Sequence, residues 1–361
     1  MNKLSRRKFL TTTTAAVGTS AVVGTSLSGK IHTDTASLKR TEESLKLVCS
    51  DYVRFMPVAT GDVRPKGMTL DWIRGDRTEM LRRALGDQTI HGGETSMARH
   101  LMRTDQNDRS FVAVPVFLLR NFTARDIYVK KGSSLKPADL NHSRLGMYNW
   151  AASGAVWYRH LLRHLTNDSE AVKSATWVIG GVDVPSPTIR IPDPPPPNIT
   201  RAPEGKSLSD LLISGEIDAL LGPLPPARHH SKDGPIVRLT PNFQSIESAY
   251  FEKMRCYPPQ HVIVIRREIW EKDPSVGRKL VAAFNECETK FWANQRLYPY
   301  NSPWIISDIQ EAEHLMGSDY HAHGLEKNRH AVDTFCQGGF DDELTKRRVT
   351  VEEFFADFLN T

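Results

Sequence analysis

His91-Gly92-Gly93-Glu94-Thr95-Ser96-Met97-Ala98-Arg99-His100-Leu101-Met102, followed shortly by Phe111-Val112-Ala113-Val114-Pro115-Val116-Phe117-Leu118-Leu119-Arg120, decides how this chain is read. An apolar strand signal ends at Gly92-Gly93. Glu94, Thr95 and Ser96 then open a helix predicted over residues 96–103. A strand of the fully buried kind, predicted over 111–117, runs into Arg120, Phe122 and Arg125. A strand-end glycine pair, hydroxyls at a helix start and arginines past the next strand all suit an anion. Helix N-termini attract negative charge, and an arginine grips a carboxylate through two parallel bonds. The stretch reads as half of a cleft for a small organic acid.

Working outward, strand patterns at 45–50, 68–73, 126–129, 144–147, 175–179, 217–221, 237–239 and 261–266 alternate with helical patterns at 78–85, 152–165, 244–251 and 276–293. The end of the chain reads as helical, at 305–316, 325–336 and 351–358. Alternation of this kind implies mostly parallel sheets covered by helices. The chain is expected to cross between two lobes near 118–126 and again near 222–240. Residues 44–122 and 236–361 then form a discontinuous first lobe and 123–235 the second. This is an α/β, two-lobed, periplasmic-binding-protein type II-like fold with its ligand between the lobes. The turn 148–154 into the helix at 152–165 is the second lobe's counterpart of Glu94-Thr95-Ser96. Ser207 and Asp210 form a capping-box pattern. The proline-rich run 185–203 reads as a surface excursion inside a lobe.

Ser5-Arg6-Arg7-Lys8-Phe9-Leu10 is a twin-arginine export signature, and the run from Thr11 to about Leu27 is too short and too polar for a stable membrane span. Residues 1–30 are expected to be a signal peptide, 31–43 a linker, and the location periplasmic. The formal charge of +5 comes from 47 basic and 42 acidic residues. Lys3, Arg6, Arg7, Lys8 and Lys30 account for the whole excess, so the remainder is neutral and offers no field for nucleic acid. Cys49, Cys256, Cys287 and Cys336 make no C-x-x-C pair, and buried thiols are expected. His229-His230 and His321-x-His323 lack an acid or cysteine to complete a metal set, so no metal is expected.

Asp51-Tyr52, Gly61-x-Val63-x-Pro65-x-Gly67, Glu94-Thr95-Ser96 and Pro115-Val116-Phe117-x-x-Arg120-x-Phe122 resemble the 4,5-dihydroxyphthalate decarboxylase family. So do Gly146-Met147-Tyr148, Ala155-Val156-Trp157-x-Arg159, Gly180-Gly181-Val182 and Ser214-Gly215-Glu216-Ile217-Asp218-Ala219. Leu315-Met316-Gly317 and Gly324-Leu325-Glu326-x-Asn328-Arg329 continue the resemblance across about residues 45–360. It implies the binding-protein fold and a carboxy-lyase that uses no organic cofactor. The export signature and the run from Asp193 to Pro197 depart from that pattern.

Decarboxylating a dihydroxy aromatic acid requires a carboxylate clamp, partners for the ring hydroxyls and a proton donor. Arg54 and Arg120 are the clamp candidates, and Glu94 suits the hydroxyl end. Ser96 and Ser153 would donate from the two helix starts, and Tyr148 and Trp150 would cover the aromatic face. His261 is the proton-donor candidate, because imidazole titrates near neutral pH. Each residue also has an architectural use: Arg120 in an ion pair, Glu94, Ser96 and Ser153 as helix caps, His261 as a structural histidine, Trp150 as packing. Two functions use these residue types. One is an exported decarboxylase. The other is a non-catalytic solute-binding protein delivering an aromatic or other organic acid to a membrane transporter. Both expect a small carboxylate and the twin-arginine machinery as partners.

Overall fold

A computed structural model describes residues 44–186, 191–192, 194–231, 233–297 and 302–361. The expected signal peptide and linker lie outside them. Eleven strands occur among the described residues: β1 (Leu45–Ser50), β2 (Leu70–Gly75), β3 (Gly92–Ser96), β4 (Phe111–Arg120), β5 (Ile127–Lys130), β6 (Arg144–Met147), β7 (Thr176–Ile179), β8 (Ile199–Arg201), β9 (Ala219–Leu221), β10 (Ile236–Arg238) and β11 (Pro259–Arg266). They build two sheets, ordered β2-β1-β3-β11-β4 and β10-β5-β9-β6-β7-β8. In the first sheet β2 and β3 run parallel to β1. The late strand β11 inserts antiparallel between β3 and β4. These sheet orders, with helices on their faces, make the molecule a two-lobed α/β protein of the periplasmic-binding-protein type II-like class.

Strand β11 is buried at every position, and β4 at every position but Leu119. Their continuous apolar runs are what the middle of a two-faced sheet requires. Gly92 and Gly93 do not end a strand; they begin β3. A Cβ at Gly92 would sit 2.0 Å from the Val264 carbonyl oxygen, and one at Gly93 2.1 Å from that of Val48. The two glycines therefore let β3 fit between its neighbours rather than cradling a ligand. The helix follows one residue later than expected, at Met97–Asp105.

The return to the first lobe comes later than expected. β10 belongs to the second sheet, and Phe243, Ile246 and Tyr250 of the helix Phe243–Met254 pack into the second core. Cys256 is the first residue after them in the first core, so the change of lobe lies beyond residue 236. The described prolines Pro194–Pro197 lead into β8, an edge strand of the second sheet, where chain without amide donors is tolerated. Ser207 and Asp210 form the expected capping box. All four cysteines are buried and free. No helix among the described residues is long and apolar enough to cross a membrane.

The helix Ser153–Thr166 joins the lobes. Val156 and Trp157 pack into the first core, while Ala155, Tyr158, Leu161 and Leu162 pack into the second. The Trp157 indole donates to the Pro259 carbonyl at 2.7 Å. Arg159 on this helix is fully buried and pairs with Asp342 at 2.6 Å, and Arg163 meets the other oxygen of Asp342, also at 2.6 Å.

Candidate active site

The parallel register of β1 and β3, and the antiparallel register of β3 and β11, carry three residues to one place. Glu94 stands in β3, Ser50 at the end of β1, and His261 in β11 opposite Ser96. The Glu94 side chain is fully buried. Its Oε2 accepts from the Ser50 N–H at 2.7 Å and from the Cys49 thiol at 3.6 Å. Its Oε1 accepts from the Tyr52 hydroxyl at 2.7 Å and faces His261 Nδ1 at 2.5 Å. Burial alone would raise the Glu94 pKa, but the His261 ring and the Ser50 donor outweigh it and hold the carboxyl at about 2. The ionised carboxylate fixes His261 with Nδ1–H as donor. Nε2 has no hydrogen-bond partner among the described residues. Burial and the charge of Glu94 push the Cys49 thiol and the Tyr52 phenol well up. Both stay protonated and serve as donors, and Cys49 is a poor nucleophile.

Beside this trio the two helix starts meet. Ser96 Oγ lies 2.7 Å from Ser153 Oγ, and Ser153 Oγ accepts from the Ala98 N–H at 3.0 Å. Ser96 makes no cap bond to its own helix; the second lobe's serine does that work instead. Tyr148 places its hydroxyl against Gly154, where a Cβ would stand 2.8 Å from it, with the Gln260 amide oxygen 3.4 Å from the same point. Tyr148 packs edge-on to Tyr158, and its hydroxyl has no hydrogen-bond partner among the described residues.

Three expected ligand contacts have other duties. Trp150 lies in the second core, edge-on to Trp177 with the Arg159 guanidinium 4.1 Å from its ring centre. It is packing, not a face for an aromatic ligand. Arg120 is 4% exposed and donates to Asn328 Oδ1 at 2.6 Å and to the Ala322 carbonyl at 3.1 Å. Burial draws its pKa down to about 10, and its guanidinium holds the C-terminal segment to the end of β4. Arg54 donates to the Leu118 carbonyl at 2.5 Å and pairs with buried Glu288 at 3.0 Å. Arg54 is not a free clamp, and Arg120 keeps only a buried Nε without a partner among the described residues. Beyond the expected site residues the structure adds Tyr52 and Gln260; Tyr52 lies in the strand-to-loop stretch Asp51-Tyr52-Val53-Arg54 after β1, a position at which function gathers, and Gln260 carries no such signal in the sequence.

The site thus joins a carboxylate-oriented imidazole, two phenols and two serines where the two lobes meet, groups able to donate hydrogen bonds and to move a proton. The chain is 28% identical over 321 residues to a 4,5-dihydroxyphthalate decarboxylase of Comamonas testosteroni, covering 86% of this chain and 96% of the relative. It is 29% identical over 187 residues to a second protein of that name from Pseudomonas putida, covering 51% and 72%. The resemblance visible in the motifs therefore extends along nearly the whole relative. No family model matches the chain. Among solved structures it overlays on the periplasmic aliphatic sulphonate-binding protein SsuA of Escherichia coli with a TM-score of 0.48 and 14% identity, covering 86% and 91%. A periplasmic sulfonate-binding protein from Methylobacillus flagellatus gives 0.49 and 10%, covering 88% and 94%.

Proposed function

We propose that this protein is an exported decarboxylase of the 4,5-dihydroxyphthalate decarboxylase type, acting on a hydroxylated aromatic carboxylate. The observation that carries the reading is the Glu94–His261 contact at 2.5 Å, set among donors that keep Glu94 ionised. With Nδ1–H held on the Glu94 carboxylate, the Nε2–H of the protonated ring is the acid the reaction needs. His261 delivers that proton to the ring carbon bearing the carboxylate, and a ring hydroxyl shares the positive charge. The bond to the carboxylate carbon then breaks, its electron pair restores the aromatic ring, and carbon dioxide leaves. His261 ends neutral, still donating through Nδ1, and recovers its proton from water. Ser96, Ser153 and Tyr148 are the donors that orient the substrate. Purified protein incubated with a panel of dihydroxyphthalates and dihydroxybenzoates is expected to release carbon dioxide from at least one. Release from none, by protein that binds them, overturns the reading.

The export signature at Arg6-Arg7 favours a second reading, a periplasmic solute-binding protein that hands an organic acid to a transporter. A thermal-shift screen followed by recovery of the ligand separates the two: a binding protein returns its ligand intact, an enzyme consumes it.

A further inference from the structure

Glu94 is a buried anion, so an aromatic carboxylate entering beside it needs a cation nearby, at its other end. The other arginines named in the first lobe have partners of their own, although the buried Nε of Arg120 has none among the described residues. Arg54 is paired with Glu288 and Arg120 is tied to Asn328. Arg74 is paired with Asp51. Asp76, the acid next to Arg77, is spent as well: its Oδ1 caps the helix Arg77–Gly86, accepting from the Thr78 and Glu79 N–H groups at 2.9 and 3.1 Å. Arg77 itself is exposed and has no acidic partner among the described residues. Its guanidinium lies 5.9 Å from the ring centre of Tyr52, the phenol that donates to Glu94. Burial, with Asp126, pushes the Tyr148 hydroxyl up, and Arg159 and, least of these, Arg77 pull against it.

We propose that Arg77 receives a carboxylate of the bound aromatic acid at the cleft mouth, with the Tyr148 hydroxyl as the second donor from the opposite lobe. The inference rests on the reading of the cleft as a site for hydroxylated aromatic carboxylates, and it assigns the two ends of the ligand. The hydroxyls lie toward Glu94 and Tyr52, a carboxylate lies toward Arg77, and the ring carbon that bears it lies within reach of His261 Nε2. An arginine suits this place because its planar fork matches a carboxylate and stacks on a tyrosine ring. The site therefore selects by charge at the mouth and by hydrogen bonding at the floor.

The test is titration calorimetry with 4,5-dihydroxyphthalate, on the His261→Asn background wherever the wild type consumes it, and with catechol, which keeps the hydroxyls and lacks the carboxylates. Arg77→Ala is expected to weaken dihydroxyphthalate binding about 10- to 100-fold, the worth of a charge-assisted contact, and to leave catechol binding unchanged. Arg77→Lys is expected to retain part of the difference, and Tyr148→Phe to lose several-fold on the dicarboxylate alone. Equal loss on both ligands, or no loss on either, overturns the assignment while the cleft reading stands. Wild-type protein that binds neither ligand defeats the cleft reading and takes the assignment with it. Arg77 is exposed, so the variants are expected to unfold at the wild-type denaturant midpoint.

Discussion

Ser153 caps a helix that is not its own. Its Oγ accepts from the Ala98 N–H, in the first turn of a helix on the other lobe, and touches Ser96 Oγ as well. Ser153→Ala leaves a buried N–H without a partner. A loss of about 1–2 kcal/mol is expected in urea unfolding. Unchanged stability would show that the two lobes do not depend on this contact.

Removing the imidazole separates chemistry from architecture. His261→Asn keeps a donor for Glu94 but has no acid to deliver. Carbon dioxide release is expected to fall by about 100- to 10,000-fold, with ligand affinity reduced far less. Parallel loss of both would mark His261 as a structural residue. Glu94→Ala strips the acceptor from Ser50, Tyr52 and His261 together, and is expected to cost about 3 kcal/mol or more of stability.

Asp342 is the only acid that meets buried Arg159 among the described residues, and it holds Arg163 too. Asp342→Ala leaves a guanidinium buried and unpaired, and is expected to destabilise the fold by about 3–5 kcal/mol. Asp342→Ala with near wild-type stability would show that Arg159 finds solvent.

Acid and base act on different groups. Burial raises the Glu247 carboxyl, offset in part by its bond from the Arg125 N–H, to about 7, against 4.5 for the free side chain. The folded state therefore holds a proton that the unfolded chain has lost, and this group's contribution disappears as pH rises from about 4.5 to about 7. Glu247→Gln is expected to raise the unfolding midpoint at pH 8 and to leave it unchanged at pH 4. Glu94 has the opposite sign: its contribution is complete above 4.5 and is lost as pH falls toward 2. Unfolding of the Glu94→Gln variant is accordingly expected to depend less steeply on pH than that of the wild type in that acid range, read from midpoints measured at pH 5, 4 and 3.

The fold was legible because its central strands announce themselves. β4 and β11 are apolar at nearly every position, and strand and helix periods alternate cleanly around them. Glu94 and His261 were both recognisable as chemistry-bearing residues. Their pairing was not, since 167 positions separate them and only the register of β3 against β11 brings them together. Arg120 and Arg54 looked like clamps because an arginine after a strand looks the same whether it faces a ligand or a carbonyl. Trp150 failed for a related reason: an aromatic residue in a turn carries no mark of which way it points. Gly92-Gly93 shows how one motif serves two ends, since close approach to a phosphate and close approach to a neighbouring strand both require the missing Cβ.

The shared helix sets the kind of motion by which ligand enters and leaves. Trp157 is seated in one core while its next neighbour Tyr158 is seated in the other. A wide swing of the lobes would pull an indole from its socket beside Phe335 and break its bond to Pro259, at a cost of about 3–5 kcal/mol from the indole alone. Rotamer changes of exposed side chains such as Arg77 carry no such cost and take on the order of nanoseconds.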